Sequence, residues 1–280
     1  KNDVSKGQAI EPFSWDDAVG NWTIGNLRRF LKEERRPYLK LRAFDHRNPE
    51  INDQLIRELY ALTSELGLPE PKKLNYGGAL KVFKLNLGSA DGPIERLASF
   101  VGTQSVDVFE QFGVSTQAPP VQPMQAEDIP EPDPDGDYPV VGVLDSGTDP
   151  DNGRLQAWVV TRDESQVPRR DQDNTHGSLV AGIIINGRSL NHEHPGFPSG
   201  KAKVLDYVVL PGSGQVTEDD LIELLRGAFS SYPDVKIWNL SVNSGRRCRN
   251  DRFSEFAMAL DALQDEFGVM IVNSAGNYSA

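Results

Sequence analysis

Tyr138-Pro-Val-Val-Gly-Val-Leu-Asp145-Ser-Gly-Thr-Asp149 is a near-continuous apolar run that ends on a carboxylate and a glycine. A strand with one wet face alternates apolar and polar residues, whereas an unbroken apolar run marks a strand covered on both faces, as in a parallel sheet between helices. The pattern recurs downstream. Strands are expected over 138–144, 203–210, 235–240 and 269–273, with helices over 176–186, 218–229 and 252–266 between them. This is the alternation of a doubly wound parallel α/β sheet. Thr217-Glu-Asp-Asp220 offers a cap and an acidic first turn to a helix that buries Leu221, Leu224, Leu225 and Ala228. The helix from Arg252 repeats Phe253, Phe256, Leu260, Leu263 and Phe267 and stops at Gly268. In such sheets reactive groups collect at the carboxyl ends of strands, where Asp145, Ser241 and Asn277 all fall.

Upstream the periodicity changes. Residues 1–35 read as an N-terminal extension with a short helix from Ile24 to Arg35, and Trp15 and Trp22 as packing anchors. Tyr38 to Phe44 alternates as a half-buried strand, and Asn48-Pro49 then opens a helix carrying Ile51, Leu55, Leu59, Leu62 and Leu66 on one face. Lys73 to Tyr76 and Ala79 to Leu87 flank Gly77-Gly78 as a hairpin; a helix from Pro93 to Val101 and a strand from Val106 to Phe112 follow. Strand, helix, hairpin, helix, strand is a ferredoxin-like α+β domain, assigned to 36–114. A proline-rich acidic linker spans 115–137, too poor in apolar residues to offset chain entropy, and the α/β domain spans 138–280.

Composition narrows the function classes. The net charge of −12 over 280 residues argues against a nucleic-acid partner and against anionic membranes. No stretch is long and apolar enough for a membrane span, and the absence of a signal pattern favours a cytoplasmic location over a secreted one. Cys248 is the single cysteine, which excludes an internal disulfide framework. His192-Glu-His194 lies in a Pro/Gly loop without a third ligand, and Asp149, Asp151 and Asp171 form no recognised oxygen-ligand pattern, so no metal site is assigned.

Asp145 alone reads as a turn residue, and a lone histidine is usually structural. What changes this is His176, 31 residues on, in Thr175-His-Gly-Ser-Leu-Val-Ala-Gly182, where Gly177, Ala181 and Gly182 strip one helix face of bulk. An aspartate that accepts Nδ1–H fixes the tautomer and stabilises the imidazolium formed when Nε2 takes a proton. Asn273-Ser-Ala-Gly-Asn277 follows the last apolar strand and places an amide near the same edge.

In this order the three motifs resemble the subtilase family, the subtilisin-like serine proteases. The resemblance implies a serine endopeptidase acting on peptide or protein substrates, with Asp145 and His176 as two triad members and Asn277 as oxyanion donor. Losing such a donor costs about 2.7–4 kcal/mol in subtilisin. It also implies that Gly212-Ser213-Gly214 and Ser241-Val242-Asn243 form substrate-binding edges, with Ser274, Ala275 and Gly276 opposite in the specificity pocket. Asn243 stands where the family more often has glycine. Calcium is frequent in the family, yet no cofactor is assigned here. The α+β domain, by its order and position, resembles the propeptide of many subtilases, an intramolecular partner whose 106–116 segment is expected in the cleft. No Gly-Thr-Ser tripeptide, the family's nucleophile motif, occurs in these residues, so the expectation is the N-terminal part of a subtilase, inactive by itself. The alternatives are a non-catalytic pseudoprotease or a peptide-binding or inhibitory scaffold, and another α/β enzyme with an Asp-His pair.

Overall fold

The computed structural model describes residues 13–20, 22–88, 92–114, 129–212, 214–245 and 253–274. The chain divides into two compact units, Lys1–Phe109 and Glu110–Ala280.

The first unit holds α1 (Trp15–Val19), α2 (Ile24–Glu33), β1 (Tyr38–Ala43), α3 (Pro49–Glu65), β2 (Lys72–Leu74), β3 (Lys81–Asn86), α4 (Ile94–Ala98) and β4 (Thr103–Asp107). Its antiparallel sheet has the order β2-β3-β1-β4, with Leu41 opposite both Phe83 and Val106. Because successive side chains alternate across a strand, Leu39, Leu41 and Ala43 share one face and enter a core with Leu27, Leu31, Leu59, Ile94 and Leu97. Helix α2 contributes to that same core, and Trp22 stacks on Phe30 and donates to Asp107 at 2.9 Å.

Asn48 caps α3 by accepting the N–H groups of Glu50 and Ile51. Of the leucine stripe expected of α3, Leu59 is buried and Leu62 and Leu66 pack against the core, while Ile51 is 45% exposed; Asn52 and Thr63 are buried as well. The amide of Asn52 donates to Asp45 and accepts the His46 N–H, which lets a polar side chain be buried with partners. The hairpin is also wider than a two-residue turn. Gly77 and Gly78 both have positive φ, and Tyr76 turns inward to 1% exposure, which needs the longer loop. The strand expected over Val106 to Phe112 is broken in two, β4 ending at Asp107 and a separate strand lying in the second unit.

That unit contains β5 (Gln111–Gly113), β6 (Val140–Asp145), α5 (Gly153–Gln156), β7 (Val159–Asp163), α6 (Asn174–Leu190), β8 (Lys203–Val208), β9 (Val216–Thr217), α7 (Glu218–Ser231), β10 (Ile237–Leu240), β11 (Asn243–Ser244), α8 (Glu255–Phe267) and β12 (Met270–Asn273). Five strands form a parallel sheet in the order β12-β10-β6-β8-β7, flanked by helices, and β11-β5-β9 form a separate small sheet. Val143, Leu155, Trp158, Ala181, Ile185 and Val204 make one core cluster. Strand β7 escapes the periodicity reading because, as an edge, it is short and polar and leaves Val160 46% exposed. Phe253 is 80% exposed rather than packed, since it precedes the Ser254 cap of α8. Thr217 does not cap α7 through its side chain; its hydroxyl shares its one proton between the Asp219 and Asp220 carboxylates, at 2.8 and 2.7 Å.

Gly142 shows how tightly β6 and β10 meet: a Cβ there would lie 2.1 Å from Cε3 of the fully buried Trp238. Gly142→Ala is therefore expected to destabilise this unit by about 1–3 kcal/mol through overpacking. Urea unfolding followed by tryptophan fluorescence measures it, and an unshifted midpoint would contradict the packing described.

Candidate active site

Strand β6 is flanked on both sides, by β10 and β8, and ends on Asp145, which is fully buried. A buried carboxylate is costly unless its oxygens are bonded. Asp145 Oδ1 accepts the Ser146 N–H at 2.7 Å, and Nδ1 of His176 lies 2.8 and 3.0 Å from the two carboxylate oxygens. With a carboxylate facing Nδ1, that nitrogen carries the proton and Nε2 keeps its lone pair.

Two local features bring the pair together. Gly147 takes φ +92, a backbone conformation that lets the chain turn sharply after the strand. Asp173 caps α6 by accepting the Thr175 N–H at 3.0 Å, which sets His176 in the first helical turn. Gly177 follows it, and a Cβ there would sit 2.3 Å from the Gly147 carbonyl oxygen. The helix start thus rests directly on the turn that leaves β6. The His176 side chain is 28% exposed and Asp145 not at all. The Asp145 hydrogen bond, with its charge adding, raises the His176 pKa above the ordinary 6.5 against an opposing contribution from burial.

The residues expected to bind substrate are distributed as follows. Ser241 accepts the Asn239 amide at 2.8 Å just beyond β10, and Asn243 opens β11. Ser274 donates from its hydroxyl to the Val242 carbonyl at 3.0 Å, so these two expected pocket walls touch. Gly212 approaches Asp173 so closely that a Cβ would fall 2.3 Å from Asp173 Cβ, and Gly214 leads into β9. Ser213, Ala275, Gly276 and Asn277, like Cys248 and most of the linker, lie outside the described residues. Between β9 and β11 runs β5, antiparallel to both: Phe112 is opposite Val216 and Ser244, and Gly113 opposite Asn243. Phe112 stacks on Phe256 at 4.3 Å between centroids, and Glu110 and Glu218 hold each other, Glu218 N–H to Glu110 C=O at 2.9 Å and Glu110 N–H to the Glu218 side-chain Oε2 at 3.3 Å.

Sequence reasoning missed a polar cluster beside the pair, formed by Thr148, Arg162, Gln172 and Asp206. Its signal was present in Lys203-Val-Leu-Asp206-Tyr-Val-Val, where an acid interrupts a run that a parallel sheet must bury. Among the described residues no group of three or more His, Cys, Asp or Glu is placed to hold a metal ion, and no helix is long and apolar enough to cross a membrane.

A family model described as the subtilase family matches residues 136–280, just over half of the chain, and the chain belongs to that family. None of the curated proteins compared with it matches. Among solved structures it is similar to the epidermin leader peptide processing serine protease EpiP from Staphylococcus aureus, at 13% identity with a TM-score of 0.41. That likeness covers 86% of this chain, which spans 60% of the length of the matched one.

Because the shift of His176 is upward and its first cause is Asp145, the pair stabilises the folded chain fully below the ordinary histidine pKa of 6.5 and ceases to do so as pH rises through the higher folded value. Asp145→Asn is expected to bring the His176 midpoint down, read by NMR titration of the imidazole, and to narrow the stability difference between acid and neutral pH. An unchanged midpoint would show that the carboxylate does not govern this imidazole.

Proposed function

We propose that this chain forms the N-terminal part of a subtilisin-like serine endopeptidase, with Asp145 and His176 as two of its three catalytic residues. The observation that carries the reading is the hydrogen-bonded Asp145–His176 pair at the carboxyl edge of a parallel strand, 2.8 Å apart. In the reaction, Nε2 of His176 takes the proton of a serine hydroxyl as its oxygen attacks the scissile carbonyl, and later gives that proton to the leaving amine. Asp145 holds the ring and balances the transient imidazolium. The amide of Asn277 donates to the tetrahedral oxyanion. The serine falls in none of the motifs of these residues, and we assign it to a segment beyond them. Met270 and Val272 on the edge strand β12, with Ile237 opposite Met270 on β10, are 59%, 50% and 45% exposed, an apolar face that such a segment would cover.

The substrate is an extended peptide that adds as a strand between β9 and β11, pairing its backbone with both edges. Gln111–Gly113, just past the first unit in the chain, now takes that position, which supports reading the residues up to this strand as a propeptide whose end holds the groove. The same observation favours one second reading, a non-catalytic module that binds peptides by this groove.

Labelling of the full-length encoded protein with a fluorophosphonate separates the two. Reaction at a single serine, lowered about 10⁴-fold by Asp145→Asn, is expected of the endopeptidase. Full-length protein that never labels, beside a reactive control subtilase, leaves the peptide-binding module. Phe112→Ala removes the ring packed on Phe256 and about 1.5–3 kcal/mol of apolar burial. Amide exchange over Gln111–Gly113 should then accelerate about tenfold or more, and unchanged exchange would mean that this side chain does not hold the strand.

A further inference from the structure

We propose that Arg162 is a positioning residue for the Asp145–His176 pair, its guanidinium joining the turn that carries Asp145 to the loop that delivers His176. The inference rests on the reading of that pair as catalytic. Arg162 stands on β7 directly opposite Asp206 of β8 and is 10% exposed, while Asp206 is fully buried. One terminal nitrogen donates to Asp206 Oδ2 at 2.6 Å and to the Thr148 carbonyl. Thr148 closes the triangle, giving its N–H and its hydroxyl to the same Asp206 oxygen at 2.8 and 2.6 Å. These bonds pin the turn three residues past Asp145. The other terminal nitrogen donates to Gln172 Oε1 at 2.5 Å, and the Asn174 amide reaches both that oxygen and the Ser146 carbonyl, at 3.3 and 3.1 Å. Gln172 and Asn174 precede His176 by four and two residues. Nε of Arg162 is held by Glu164 at 3.1 Å, so the plane of the fork is fixed.

Stability is a poor reason for such a group. A buried ion pair gives up so much hydration that well-packed apolar residues of the same volume usually do as well or better. Here Asp206 Oδ1 has no hydrogen-bond partner, and burial, with the nearby charge of Asp145 adding, pushes the Asp206 carboxyl upward. Direction is what a planar fork supplies and an apolar pair cannot. Gly147 leaves room for it: a Cβ there would lie 3.0 Å from the Arg162 nitrogen and 2.9 Å from the Asn174 amide.

The test uses the chain with labelled histidine, and the His176 signal among its four imidazoles is identified with His176→Gln. Arg162→Lys keeps the charge and loses the fork; Gln172→Ala cuts only the link towards His176. Thermal unfolding reports whether each variant folds, and Asp145→Asn marks complete loss of the pair. Folded variants are expected to show a His176 midpoint displaced towards that of Asp145→Asn and at least tenfold faster exchange of the Nδ1 proton. A folded variant with lowered melting temperature but wild-type His176 midpoint and proton exchange would show a merely structural role and overturn the proposal. Should Arg162→Lys not fold, Gln172→Ala decides alone. Failure of the full-length protein to label with a fluorophosphonate would remove the catalytic reading while leaving this imidazole measurement intact, so the two failures are distinguishable.

Discussion

A negative charge sits at the end of β6 with no access to water, and the arrangement around it follows from the need to satisfy that charge. Asp145 is held by the Ser146 N–H and by the imidazole of His176. Removing either leaves a desolvated carboxylate short of a donor, a far larger penalty than the worth of one surface hydrogen bond. The imidazole is therefore bound to its place as much by the needs of the aspartate as by its own helix. In return the carboxylate settles which ring nitrogen is protonated, which is what a general base requires.

Close approach makes the contact possible. The start of α6 lies on the turn 145–147 with backbone against backbone at Gly177 and Gly147, and one added methyl at Gly177 would enter the space of a carbonyl oxygen. Beneath, Trp238 occupies the space above Gly142 on the neighbouring strand. Glycines at these points are steric conditions for the Asp–His distance. Since interiors are packed as densely as organic crystals, a shift of the strand is transmitted to the turn with little absorption.

How much of this could be read beforehand varies with the physics of each element. The interior strands and the helices around them were legible because burial on both faces leaves an unmistakable apolar run, as in Val140 to Leu144. Asp145 and His176 were legible through a resemblance of motifs, for no periodicity brings residues 31 apart into contact. Strand β7 was not legible, because an edge strand with Thr161, Arg162 and Asp163 has no pattern to show. The burial of Asn52 on α3 depended on its finding Asp45 and His46, which is tertiary information. The break between β4 and β5 was hidden for a related reason: one extended segment serves two sheets, and only its partners reveal it.

The strand Gln111–Gly113 belongs to the same chain as β9 and β11, and the backbone from residue 114 onward tethers it to them. Under the proposed reading of this strand as the occupant of a peptide groove, such a tether competes intramolecularly, at an effective concentration on the order of millimolar, without needing high intrinsic affinity. A free peptide of equal intrinsic strength would have to approach that concentration to displace it. Cutting the chain between Gly113 and Val140 would convert this advantage into ordinary dilution. On that proposed reading, the groove between β9 and β11 carries a threshold set by connectivity, one that a single hydrolysed bond abolishes while every contact inside the groove stays as it was.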